Sequence, residues 1–340
     1  MKKATRILIV ILALVYVFSA LGLANAETFK IKPKGDKQIK IGVMDLQSAW
    51  GVAASFNKMY KKWAKARGWD CQVFDLGFKI EKSQTVMANM VSAGYDAIIV
   101  NWTAPSYYKQ QLKRAYDKGI PVIIIAGDNM IPGMIANFVA WDTAMGGLTA
   151  ELLSGSIKRG SKIIAYYNSG IPVAVKRYHF AEAVFKENKI EIVTALTPST
   201  GKDPEQDAFD KVTNTLLADS KKEIKGIWAQ SDYMGIPAAR AALALNRKDI
   251  IVVTADDTPR AYDALRNMPN MVGIAGYNGN VKTTIDDIFK IFENAFEGKP
   301  VKTNQYCGIN VYMVTKQTAP PKGYYFNPGG TGYEGRAKDY

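Results

Sequence analysis

The chain has 340 residues, 48% of them hydrophobic, with two cysteines, one histidine and a formal net charge of +13. Removing the 26-residue N-terminal signal described next leaves 314 residues, which exceeds the roughly 100–200 residues of one domain and predicts two. A single histidine without paired-cysteine spacing excludes a metal site. No Walker or dinucleotide-type glycine pattern follows a strand, so we expect no cofactor.

The first 26 residues have the three parts of a secretory signal peptide. Lys2, Lys3 and Arg6 precede an apolar stretch over residues 7–21, and Ala24-Asn25-Ala26 supplies a small-residue cleavage site. The alternative is an uncleaved anchor, but the stretch is short for a span of roughly 20 residues. We therefore expect a cleaved signal over residues 1–26 and an exported protein.

The exported chain is basic and carries both cysteines. Without Lys2, Lys3 and Arg6 it has 41 basic and 31 acidic residues, a net charge of +10. Lysines scattered through helices favour a solvated basic surface over a nucleic-acid partner. The alternative is attraction toward an anionic membrane face or an acidic ligand. Cys71 lies in a strand-like run and Cys307 follows 236 residues later, so we favour two buried free thiols over one bridge.

Two similar series of strands and helices follow one another along the chain. In the first, helical patterns end at Gly68, Gly94 and Gly119, which are natural C-terminal caps. We predict strands at 40–45, 69–76, 97–101 and 121–126, and helices at 52–67, 82–93 and 105–118. In the second series we predict strands at 162–166, 190–196, 226–229, 250–255, 271–275 and 310–315, and helices at 143–158, 173–187, 203–218, 235–245 and 281–297.

Apolar strands separated by helices of this length indicate βαβ units. The sequence therefore predicts an α/β protein with two doubly wound parallel sheets. Polar residues follow two strands of the second series, at the strand ends where open parallel sheets place their ligands. They are Gln230, Ser231, Asp232, Asp256 and Asp257.

Five segments in order resemble type I periplasmic solute-binding proteins of the sugar-binding, ribose-binding-protein-like branch, over about residues 40–314. AQSDYMGIPAARAA (229–242) resembles the family's A-Q-N-D-x-M-A-L-G-A segment, and VVTADDTP (252–259) its V-V-G-F-D-G-T-P. KGIPVIII, WDTAMGG and KRYHFAEAV support the match. The resemblance implies two lobes that close about a hinge on a small solute.

The resemblance also implies a division of the chain. The first lobe would comprise residues 38–140 plus 276–305, and the second lobe residues 141–275 plus 306–316. Residues 317–340 extend beyond the family's usual end, and their Gly, Pro and aromatic content suggests a tail packed along a lobe.

Three ligand positions of the family are polar in this chain. Arg177 matches the family's arginine, Asp256 matches its aspartate, and Ser231 stands in place of an asparagine. A guanidinium and a carboxylate in a closed cleft form strong, directional hydrogen bonds. The alternative is that Arg177 and Asp256 only pair with each other.

The first lobe departs from the sugar-binding pattern. The family's Asp-Arg pair is replaced by Ala126-Gly127, with a carboxylate only at Asp128, and an expected glutamine is replaced by Gly276. Ribose is therefore not the expected ligand. Aromatic and acidic residues elsewhere complete the candidate set: Trp50, Trp102, Tyr233 and Asp142, with Trp228 assigned to the core.

The function predicted from this resemblance is the periplasmic capture component of an ABC importer, a monomer that delivers a small polar solute to a membrane permease. The alternative is a periplasmic subunit that reports a ligand to a membrane histidine kinase, as the trimethylamine-N-oxide accessory protein of this superfamily does. An enzyme is not expected, since the lone His179 has no catalytic motif near it.

Overall fold

The computed structural model describes residues 28–49, 51–127, 129–199, 202–277, 280–327 and 332–336. The predicted signal peptide lies outside these residues. No helix within the described ranges is long and apolar enough to span a bilayer.

The first of two six-stranded sheets in the described residues is parallel throughout. Its strand order is β13-β6-β5-β4-β2-β3. The strands are β2 (Lys40–Asp45), β3 (Asp70–Asp75), β4 (Ala97–Asn101), β5 (Val122–Ile125), β6 (Ala136–Ala140) and β13 (Gln305–Ile309). The helices of this lobe are α1 (Gly51–Ala66), α2 (Ser83–Ser92), α3 (Lys109–Asp117) and α9 (Val281–Phe296), with 3-10 turns at Ile80–Lys82 and Pro105–Tyr108.

The second sheet has the order β14-β11-β10-β9-β7-β8, and its edge strand β14 runs antiparallel to β11. Its strands are β7 (Lys162–Tyr166), β8 (Glu191–Leu196), β9 (Ile224–Ala229), β10 (Ile251–Ala255), β11 (Met271–Gly276) and β14 (Tyr312–Thr315). Its helices are α4 (Asp142–Ser156), α5 (Pro172–Glu187), α6 (Pro204–Ala218), α7 (Asp232–Ala244) and α8 (Pro259–Asn267). The predicted doubly wound α/β fold is confirmed.

The cores form because the central strands are apolar on both faces. All five residues of β4 and all four of β5 are buried, as expected for parallel strands covered by helices on each side. In the second lobe, the alanines of α7 let this helix approach the sheet closely. A Cβ on Gly235 would lie 2.6 Å from Thr254 of β10, so glycine is required there.

The structure moves one boundary of the predicted lobes. Residues 306–309 were expected in the second lobe, but β13 pairs with β6 at the edge of the first sheet. The chain then crosses to the second lobe before β14. The crossover therefore lies near residues 310–311 rather than at 305.

The two cysteines are free thiols, as predicted, and both are half-buried. Cys71 lies on β3 and Cys307 on β13, the two edges of the same sheet. Five strand spacings separate them, about 24 Å, whereas a disulfide needs Cα atoms within roughly 7 Å. Burial also raises the pKa of Cys71 to about 12, so this thiol is unreactive near neutral pH.

Short strand pairs complete the described fold. β1 (Thr28–Phe29) pairs with β12 (Val301–Lys302), and β15 (Tyr324–Asn327) pairs with β16 (Gly332–Arg336). Tyr325 is buried with its ring 6.2 Å from Tyr262 of α8. The backbone N–H of Phe326 donates to the Tyr262 hydroxyl at 3.2 Å. This part of the tail packs on the second lobe.

Candidate functional site

A cavity lies between the two lobes. Both lobes contribute to its wall, because the carboxyl ends of the central strands of each sheet lie beside it. The residues around it are Val52, Trp102, Ile171, Val173, Arg177, Gln230, Ser231, Asp232, Tyr233, Asp256 and Tyr277. A second, wider space adjoins it and shares Ile171, Gln230, Ser231 and Tyr233.

Arg177 on α5 is the centre of the polar wall. Its Nε donates to Asp142 at 2.8 Å, and its Nη1 donates to Asp256 at 3.0 Å and to the carbonyl of Gln230 at 2.8 Å. Burial alone would lower the pKa of Arg177, but Asp256 and Asp142 offset this effect and raise it. Arg177 and Asp256 therefore pair with each other and also line the cavity.

Asp142, the first residue of α4, accepts the hydrogen bond from Arg177 Nε. It is 3% exposed and is not part of the cavity wall. Its Oδ2 has no hydrogen-bond partner among the described residues. Burial raises the pKa of Asp142, while Arg177 acts in the opposite direction. Asp142 thus positions the guanidinium rather than lining the cavity.

Residues 230–232 form the turn from β9 into α7. The backbone N–H of Gln230 donates to Tyr166 at 2.9 Å, and Ser231 is the N-cap residue of α7. Asp232 accepts a 2.6 Å hydrogen bond from the Thr258 hydroxyl and lies 3.4 Å from Arg260. Burial, with the nearby charge of Asp256, raises the pKa of Asp232 to about 7.

Tyr233 connects the two lobes across the cleft. Its hydroxyl donates to the carbonyl of Ala49 at 3.0 Å, and Ala49 belongs to the first lobe. The guanidinium of Arg260 lies 4.9 Å from the centre of the Tyr233 ring. Tyr233 therefore lies at the cavity wall and at an interlobe contact.

The first lobe contributes apolar groups. Trp102 follows β4, is 7% exposed and packs edge-on to Phe56 at 5.5 Å. Val52 of α1 lies in the same wall. Two other predicted positions, Trp50 and Asp128, lie outside the described residues.

Three non-glycine residues at the cleft-side strand ends have left-handed backbone conformations. Trp102 has φ 57°, Ala126 φ 55° and Asp256 φ 68°. Such residues typically cost about 1–2 kcal/mol each. Backbone hydrogen bonds hold two of them, from Trp102 to Ile125 at 2.9 Å and from Ala126 to Phe138 at 2.7 Å.

The cavity wall also contains four residues that were not predicted from the sequence, Val52, Ile171, Val173 and Tyr277. Tyr277 directly follows β11 and is buried, and its backbone N–H donates to Asp257 at 2.9 Å. A Cβ on Gly276 would lie 2.0 Å from the Asp257 side chain, so glycine is required where the chain leaves β11 for the first lobe. The sequence signal that could have identified Tyr277 is its position at a strand end beside the crossover.

Trp228 is a core residue as predicted, with its Nε1 donating to Thr149 at 2.7 Å.

The site has no metal-binding geometry in the part of the chain that the structure describes, since no group of three or more His, Cys, Asp or Glu converges there. A cleft between two α/β lobes, lined by apolar side chains from both lobes and by charged ones from the second, defines a small-molecule binding protein. Comparisons with known proteins agree. The family model described as "Periplasmic binding protein domain" matches residues 43–286, and the chain belongs to this family.

The chain is similar to several individual proteins. The ribose import binding protein of Bacillus subtilis is 22% identical over 277 residues, 78% of this chain and 85% of that protein. A solute binding protein from Agrobacterium vitis with bound allitol has a TM-score of 0.73 at 21% identity, covering 83% and 97% of the two chains. One from Actinobacillus succinogenes with bound D-allose has a TM-score of 0.72 at 19% identity, covering 83% and 99%. Membership of a binding-protein family confirms the prediction that the chain is not an enzyme.

Proposed function

We propose that this protein captures a sugar or polyol in the interlobe cavity and delivers it to the membrane permease of an ABC importer. It does so in the periplasm, as a monomer, after removal of residues 1–26. The observation that carries the proposal is the asymmetry of the cavity. The charged side chains of its described wall, Arg177, Asp232 and Asp256, all come from the second lobe, whereas the first lobe contributes Trp102 and Val52.

This asymmetry suits the chemistry of a carbohydrate. Hydroxyl groups can donate to the carboxylates and accept from the guanidinium, in charge-assisted hydrogen bonds that are strong inside a closed cleft. The C–H face of a sugar packs on an aromatic side chain such as Trp102. The relatives support this class, since they include a ribose import protein and structures with bound allitol and D-allose.

Asp256→Asn is the sharpest test of the site. The change removes a charge but keeps the shape, and Arg177 stays paired with Asp142 at 2.8 Å. Loss of a charged hydrogen bond to the ligand should weaken binding by about 1.5–3 kcal/mol, or roughly tenfold or more. Substituting Arg177 would be less informative, because a buried and unpaired Asp142 would destabilise the unliganded protein by about 3–5 kcal/mol.

The assay is calorimetric titration with pentoses, hexoses and polyols, together with the melting temperature of the unliganded protein. Asp210→Asn, at an exposed position of α6, is the matched control and should leave affinity unchanged. If Asp256→Asn binds as tightly as the wild type, the cavity is not the ligand site. If no sugar or polyol binds to the wild type, the proposed function is wrong.

The partner and the oligomeric state need separate measurements. The liganded protein should stimulate ATP hydrolysis by its reconstituted importer, and light scattering should give the mass of one chain. Stimulation of a histidine kinase instead of a transporter would establish the sensory alternative. A dimer mass would contradict the monomer.

A further inference from the structure

The charges around the cavity do not balance. Among the described residues, the ion pairs at and next to the cavity wall join four carboxylates to two guanidinium groups. The acidic members are Asp142, Asp232, Asp256 and Glu205, and the basic members are Arg177 and Arg260. Lys176 is a third positive charge that acts on Asp142, so this group has an excess of one negative charge when all four carboxylates are ionised. The cavity wall itself has the same excess, with Asp232 and Asp256 against Arg177.

Two further observations show that Arg177 and Arg260 do not fully compensate the acidic groups. The Oδ2 atom of Asp142 is buried and has no hydrogen-bond partner among the described residues. Burial raises the pKa of both Asp142 and Asp232, in spite of Arg177 and Arg260 nearby, and the charge of Asp256 adds to both shifts. A positive charge in the cavity would stabilise the ionised forms of these carboxyl groups.

The same wall contains three aromatic side chains, Trp102, Tyr233 and Tyr277. Aromatic rings attract cations, and the ring of Tyr233 already has the Arg260 guanidinium 4.9 Å from its centre. Carboxylates and aromatic rings in one enclosed space form a site that favours a cation over a neutral group.

We infer that the ligand carries a protonated amine beside its hydroxyl groups, as an amino sugar or amino polyol does, and that the amine binds next to Asp232 and Asp256. This inference rests on the proposed function, because it specifies the ligand of the same cavity. An ammonium group has three N–H donors and no acceptor, which matches two neighbouring carboxylates. The hydroxyls of the ligand bind Arg177 and Ser231.

Matched pairs of probes test the inference. The pairs are glucose and glucosamine, galactose and galactosamine, sorbitol and glucamine, and xylitol and its 1-amino derivative, each titrated into the protein at pH 7.5. In at least one pair the aminated compound should bind at least tenfold more tightly. If every neutral member binds as tightly as its aminated partner, or more tightly, the inference is overturned and the proposed function stands. If no compound binds, both are overturned.

Asp232→Asn separates charge from hydrogen bonding, since asparagine can still accept from Thr258. It should weaken binding of the aminated compound at least tenfold and binding of the neutral one no more than threefold. Asp210→Asn is the control and should change neither. Equal losses for both compounds would make Asp232 a hydroxyl acceptor and would overturn the inference.

The pH dependence gives an independent reading with glucamine, whose aliphatic amine stays protonated well above pH 8. The ionised form of Asp232 binds the amine, and the pKa of this carboxyl is about 7 in the unliganded protein. Affinity should therefore fall about tenfold from pH 8 to pH 6 in the wild type. The Asp232→Asn variant should show no such fall, and a wild-type affinity that is flat over this range would overturn the role of Asp232.

Discussion

Gly146 and Gly147, adjacent on α4, should respond in opposite ways to substitution by alanine. A Cβ on Gly146 would lie 2.1 Å from the carbonyl oxygen of Arg177 and 2.8 Å from its carbonyl carbon. A Cβ on Gly147 meets nothing within 4 Å. The pair therefore tests whether contact between α4 and α5 sets the position of Arg177.

The expected magnitudes follow from these distances. An ordinary carbon–oxygen contact is above 3 Å, so Gly146→Ala must push α4 and α5 apart by about 1 Å against backbone atoms. Such overpacking typically costs 1–3 kcal/mol. Gly147→Ala should instead stabilise the helix by up to about 1 kcal/mol, because alanine has the higher helix propensity.

Thermal unfolding and ligand titration of both variants provide the measurement. Gly146→Ala should lower the melting temperature and also the affinity, since the displaced Arg177 no longer meets both Asp142 and Asp256. Gly147→Ala should raise or preserve the melting temperature and leave the affinity unchanged. If both variants behave alike, close packing at Gly146 does not position Arg177, and the reasoning fails.

Three further predictions concern single side chains of the cleft. Tyr233→Phe removes the 3.0 Å hydrogen bond to Ala49, which contributes about 0.5–1.5 kcal/mol to lobe closure, and should weaken ligand binding about two- to tenfold. Unchanged titration curves would show that this hydrogen bond does not stabilise the closed lobes. Trp102→Phe should remove most of the ligand-dependent change in tryptophan fluorescence, and a signal that persists would place the ligand elsewhere. Asp232 has a raised pKa of about 7 in the folded state, so the folded state binds this proton more tightly than the unfolded state. The free energy of unfolding should therefore fall by up to ~4 kcal/mol as the pH rises from about 4 to 7. In urea unfolding, Asp232→Asn should flatten this slope, and an unaltered slope would assign the pH dependence to other groups.

The fold could be predicted because most elements have strong local signals. The predicted strands at 40–45, 97–101 and 162–166 have the observed bounds, and most helices agree within about two residues. These strands are short apolar runs bounded by glycine or polar residues. Their burial on both faces leaves little ambiguity in the pattern.

The missed elements have polar residues at positions where the pattern requires apolar ones. β6 contains Asn137, which is buried because its side chain exchanges two hydrogen bonds with the backbone of Gly127. β13 alternates in exposure because it is an edge strand, so it has no continuous apolar run. Helix α8 was also missed, although it carries a start signal: the Thr258 side chain accepts from the backbone N–H of Ala261, and Pro259 is its first residue.

The polar residues of the cavity wall were predictable from the sequence, and the apolar residues only in part. Arg177, Ser231, Tyr233 and Asp256 come from segments with family motifs, and the structure brings them to one wall. Ile171 and Val173 have no chemical signature, since apolar residues at a helix start are indistinguishable from core residues in sequence.

Tyr277 illustrates why the rest of the site depends on tertiary structure. Its position is set by Asp257, which accepts from the Tyr277 backbone at 2.9 Å and from the Tyr312 hydroxyl at 2.6 Å. These two tyrosines lie at the end of β11 and the start of β14, where the chain passes between the lobes. One buried carboxylate therefore fixes both crossover segments to the second lobe, directly beside Asp256 and the ligand space. Because these contacts join residues up to 55 positions apart, local sequence patterns cannot reveal them.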